Sequence, residues 1–128
     1  MNMKRMNEYE KVKWIQQLQR YEWSSTINIS GLDASLGSLW VSMTEGFMKL
    51  QEIDPTMKYW LVGSVGVLKE TPHYHGLFYC ESLTVRALNK AFRGCNAPYR
   101  APITKLEGWC EYITKQGIHD TIMTNLGE

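Results

Sequence analysis

The apolar positions change period several times along the chain, and each change marks a predicted element. From about Asn7 to Arg20 the chain is rich in Glu, Lys, Gln and Arg, with Val12, Trp14, Ile15 and Leu18 at loose helical spacing. That predicts a helix with a modest apolar face. Trp23 to Ile29 is rich in Thr and Ile and reads as a strand, and Gly31 to Gly37 as a loop. Trp40, Met43, Phe47 and Leu50 recur at steps of three and four, which predicts a helix capped by Ser38 and running to about Ile53. Asp54-Pro55 ends it, because the residue before proline avoids helical geometry. Lys58 to Leu68 and Pro72 to Cys80 are β-rich, and the short gap between them predicts an antiparallel hairpin. Ser82 is expected to open a helix that Gly94 closes, with Leu88, Ala91 and Phe92 on its buried side. Cys95 to Ile103, with two prolines, is irregular or a short strand. Thr104 is expected to cap a last helix to about Lys115, and His119 to Thr124 forms a final strand.

The predicted order is helix, then β-α-β-β-α-(β)-α-β. No Pro-, Gly- or Ser-rich linker divides it. The expectation is one α+β domain over residues 1–128, with a central antiparallel sheet of five strands, flanking helices and an N-terminal helical extension at about 7–20.

Composition narrows the function classes. The chain has 128 residues, 44% hydrophobic and 21% charged, with a net charge of +1, so any nucleic-acid partner must be met by a local basic patch. Three cysteines, an odd number without a CxxC pair, point to buried thiols and a reducing, intracellular setting. No apolar run reaches the ~20 residues that span a bilayer, and the charged Met1–Lys13 segment is unlike a secretory signal. The methionines and Trp40 read as core. No GxxxxGK[ST] phosphate loop occurs, so an ATPase module is not expected.

Candidate chemistry begins at His73-Tyr74-His75. Residues two apart on a strand share a face, so both imidazoles can reach one divalent ion. On the last helix, Tyr112, Lys115 and Gln116 lie on one side. A phenol is a weak nucleophile at its ordinary pKa of about 10, and a neighbouring ammonium and a divalent ion both favour its phenolate form. Arg86, Lys90 and Arg93 share a side of the preceding helix. With Arg100 and Lys105 they form a candidate DNA-backbone patch. Asn28 could read a base edge, and Tyr99 could stack on bases.

These residues carry a resemblance. His73-Tyr74-His75 resembles the HUH motif of the HUH endonucleases, Tyr112-Ile113-Thr114-Lys115 resembles their YxxK motif, and Thr26-Ile27-Asn28 falls where their replication initiators carry a first motif. The motifs span residues 23 to 116, and the group most similar is the rolling-circle replication initiators (Rep proteins) of small viruses and plasmids. The resemblance implies an RRM- or ferredoxin-like fold. It also implies that His73 and His75 hold Mn²⁺ or Mg²⁺ and that Tyr112 attacks a phosphate of single-stranded or hairpin origin DNA, leaving a 5′-phosphotyrosine and a free 3′-OH. Lys115 would place the phosphate, and Thr26 and Asn28 would lie along the DNA. A separate helicase and a host polymerase would be partners, with no membrane involved. Viral initiators usually supply a carboxylate from the strand before the histidines, whereas Ser64, Val65 and Gly66 stand there. Gln116, four residues after the tyrosine as in the related single-strand transposases, is the favoured third ligand, with Glu70 or water as alternatives. A transposase of the same superfamily, or a non-catalytic metal-containing nucleic-acid-binding module, are the competing readings.

Overall fold

The computed structural model describes residues 7–31, 36–64, 72–115 and 122–127. The element order is α1 (Glu8–Leu18), β1 (Ser25–Ser30), α2 (Leu36–Ile53), β2 (Lys58–Ser64), β3 (His73–Tyr79), α3 (Val85–Ala91), β4 (Tyr99–Ala101), α4 (Leu106–Lys115) and β5 (Ile122–Thr124). The strands form one five-stranded sheet in the order β4-β1-β3-β2-β5, and every pairing is antiparallel. This is the expected α+β architecture, with the histidine strand β3 at its centre.

Strand alternation divides the core into two layers. On one face Ile27, Ile29, Leu61, Tyr74, Phe78 and Met123 pack beneath α2 and α3. On the other, Trp60, Val62 and Leu77 meet Leu18 of α1 and Cys110 of α4, with Trp14, Ile15, Leu106 and Trp109 against them. α1 is thus part of a core layer: Leu18 is fully buried and Trp14 lies 5.6 Å from Trp60, ring centre to ring centre. Asn7 caps α1, its Oδ1 accepting the Glu10 N–H at 2.9 Å.

Several boundaries differ from the sequence expectation. α2 begins at Leu36, so Ser38 lies within it and is not its cap. Its inward stripe is Leu39, Met43, Phe47 and Leu50. Trp40 turns half outward, 38% exposed, with its ring 6.0 Å from Tyr74, and Met48 is exposed. One step of helix rotates about 100°, which moves the stripe from Trp40 to its neighbour. α3 is capped by Thr84 rather than Ser82, because Thr84 Oγ1 accepts the Ala87 N–H at 3.0 Å. The Ser82 N–H is directed instead to the Asp54 carboxylate at 3.5 Å. α3 ends at Ala91 with Phe92 as its C-cap, short of Gly94, the residue expected to close it. α4 begins at Leu106, past Thr104. Leu88, Ala91 and Phe92 are buried as expected.

Candidate active site on the histidine face of the sheet

β3 carries His73, His75 and Leu77 on the α1/α4 face and Tyr74 and Phe78 on the other. The bulky residue between the histidines is therefore a core residue. Tyr74 is fully buried, which fixes the register that points both imidazoles the other way. The two imidazole centroids lie 5.1 Å apart with their planes at 88°. His75 is 3% exposed and His73 is half-buried. In the antiparallel register His75 stands opposite Asn28 of β1 and Val62 of β2, and His73 opposite Ser30 and Ser64.

α4 lies across this face. Trp109 Nε1 donates to the Gly76 carbonyl at 3.2 Å, and the indole sits 6.0 Å from the His75 ring in an edge-on arrangement. The helix bearing Tyr112 and Lys115 is thereby docked on the histidine strand, one residue beyond His75. The side chains of residues 112–115, and all of Gln116, Glu70 and His119, lie outside the described residues. Cys110, next to Trp109, is buried. Its thiol is pushed up to about 12, first by burial and then by the nearby Glu107 charge, so it stays protonated and packs as a core group. Burial likewise raises Cys95, and no disulfide joins the cysteines.

Thr26 and Asn28 share the histidine face. With Tyr99, Ala101, Ile103 and Trp109 they line a groove of about 320 Å³ between β1, β4 and the start of α4. Thr26 Oγ1 donates to the Ala101 carbonyl at 3.2 Å, which ties β4 to β1, whereas Asn28 is exposed and its side chain makes no hydrogen bond among the described residues. Tyr99, directly opposite Asn28, is 69% exposed.

Of the five basic residues of the expected patch, Lys105 immediately precedes α4, and the other four lie elsewhere. Arg100 stands opposite Ile27 and so faces the α2/α3 layer, where it approaches Cys80 Sγ at 3.9 Å. Arg86, Lys90 and Arg93 belong to the same layer, on and just after α3. The structure brings His73, His75, Thr26, Asn28 and the α4 backbone together, and it separates all four of these cations from them by the thickness of the sheet. Trp109 was missed in the sequence. Its signal was the apolar series Leu106, Trp109 and Cys110, which marks the sheet-facing side of α4.

The donor chemistry fits a divalent ion held through two imidazole nitrogens. The rings are adjacent and come from alternate positions of one central strand. Among the described residues no group of three His, Cys, Asp or Glu side chains converges. Among the described residues no helix is long and apolar enough to cross a membrane. The chain matches no family model, no curated protein and no solved structure.

Proposed function

We propose that this chain nicks and rejoins single-stranded DNA through a covalent phosphotyrosine. The observation that carries the reading is the docking of α4 on β3 through Trp109. It sets a Tyr-x-x-Lys helix against a pair of histidines that share one sheet face. The phenolic oxygen of Tyr112 attacks the scissile phosphorus and gives up its proton. The bond from phosphorus to the 3′ oxygen breaks, and that oxygen leaves as a 3′-OH after taking a proton. The phosphodiester energy stays in the tyrosyl ester, so attack by a 3′-OH reverses the step and joins strands without ATP. His73 and His75 would hold a divalent ion, with Gln116 as a third donor, and the ion would neutralise charge on the phosphate. Lys115 contributes an ammonium beside the phosphate, and the groove lined by Thr26, Asn28 and Tyr99 receives the neighbouring nucleotides.

The test is incubation with labelled single-stranded and hairpin DNA and Mn²⁺, followed by a denaturing gel. A covalent adduct is expected, absent in Tyr112→Phe with DNA binding retained, and absent in His73→Ala together with Mn²⁺ binding. DNA binding without any adduct, across a pool of random-sequence hairpins, would overturn the reading and leave a non-catalytic binding module.

A further inference from the structure

On the face of the molecule away from the histidines, the C-terminal half of α2 and the length of α3 border a groove of about 520 Å³. Lys49, Arg86, Lys90 and Arg93 stand around it, and Ile53, Ala87 and Ala91 contribute apolar surface. No carboxylate is among its lining residues, and none of the four cations has an ion-pair partner among the described residues. Ile53 is 60% exposed there although α2 buries its other face completely at Leu50. Arg86 and Lys90 are one helical turn apart, about 6 Å along the axis.

We propose that this groove docks an acidic amphipathic segment of a partner protein. Apolar side chains of such a segment cover Ile53, Ala87 and Ala91, and its Asp and Glu side chains meet the four cations at the rim. Charge complementarity sets the sign of the partner, and the apolar floor sets its class. A nucleic-acid strand would bring phosphates over an apolar floor that cannot hydrogen-bond to them. It would also find no aromatic ring to stack on among the described residues that line the groove. A strand engaged at His73 and His75 would have to pass round the sheet edge to reach it, because the two sites occupy opposite layers.

Fluorescence anisotropy with a labelled 14-residue peptide, leucine along one helical face and glutamate elsewhere, tests the proposal. The intact chain is expected to bind it. Replacing the leucines by serine is expected to abolish binding, as is Ile53→Lys in the protein. The double variant Lys90→Glu/Arg93→Glu is expected to lose at least about tenfold in affinity. All these positions are exposed, and matching circular-dichroism melts verify folding; Arg86→Ala serves as a milder second variant. Unchanged binding by the double variant and by Arg86→Ala would overturn the proposal, as would equal binding of the serine peptide. Displacement of the peptide by a dT12 oligonucleotide that itself depends on Lys90 and Arg93 would reassign the groove to nucleic acid. None of these readouts uses DNA cleavage, so the outcome is independent of the function proposed for the histidine face.

Discussion

At the scale of single residues, Asp54 is the buried polar group that organises the most backbone among the described residues. It is 4% exposed, and its carboxylate accepts from the Thr56 hydroxyl, the Thr56 N–H at 3.0 Å and the Glu81 N–H at 3.0 Å. The Thr56 hydroxyl bond, and then the backbone N–H groups, hold its pKa below the ordinary carboxylate value against an opposing desolvation. Between the lowered native value and the unfolded value near 4, the unfolded chain binds more protons, so this contribution is fully present above about pH 4 and is lost as pH falls through the native value. Asp54→Asn is expected to cost about 1.5 kcal/mol at neutral pH. Urea unfolding of the two proteins should show that gap narrowing as pH drops below about 4. The sequence showed Asp54 only as the residue before Pro55 that ends a helix. Its bonds to Glu81 and Ser82 span more than twenty residues, and no local pattern encodes them.

At the scale of elements, β3 is constrained from every side. Tyr74 and Phe78 are fully buried in one layer, Leu77 in the other, and His75 nearly so. Gly76 faces Leu61 and Ile27 across its two neighbouring strands. A β-carbon at Gly76 would collide with the Trp60 carbonyl and lie 2.7 Å from Leu61 Cα, both backbone groups that cannot rotate away. Gly76→Ala is therefore expected to destabilise by roughly 1–3 kcal/mol, read as a lower denaturant midpoint at unchanged slope. Element type was legible in most segments: the Thr- and Ile-rich run of β1, the β-rich runs of β2 and β3 and the three–four spacing in α1, α2 and α3 reflect which side chains each backbone geometry accommodates, whereas Cys95 to Ile103, which holds β4, reads equally as irregular chain. Starts of helices were less legible, since any of Ser82, Thr84, Thr104 and Ser38 has the side chain of a cap. Only the competing partners of the local N–H groups choose among them.

At the scale of the whole molecule, Trp109 joins the two halves of the candidate site. Its indole lies against His75 and its N–H reaches the Gly76 carbonyl, so the seating of α4 on β3 depends on it. Trp109→Phe keeps an aromatic ring but removes the donor, and it is expected to cost about 1 kcal/mol in thermal unfolding. Adduct formation with DNA should fall more than Mn²⁺ affinity, because the helix carrying Tyr112 loses its anchor while His73 and His75 stay on β3.

The sequence by itself determined the elements, the shared face of His73 and His75, and the identity of Tyr112 and Lys115 as candidate chemistry, because each follows from the period of one short segment. Only the tertiary structure decided what lies beside what. Strand order and register put Asn28 next to His75 and α4 across them, and sent Arg86, Lys90, Arg93 and Arg100 to the opposite layer. The reason is that a helix or strand specifies only which of its own faces is apolar. Which side of a sheet that face covers is set by packing between segments distant in the chain.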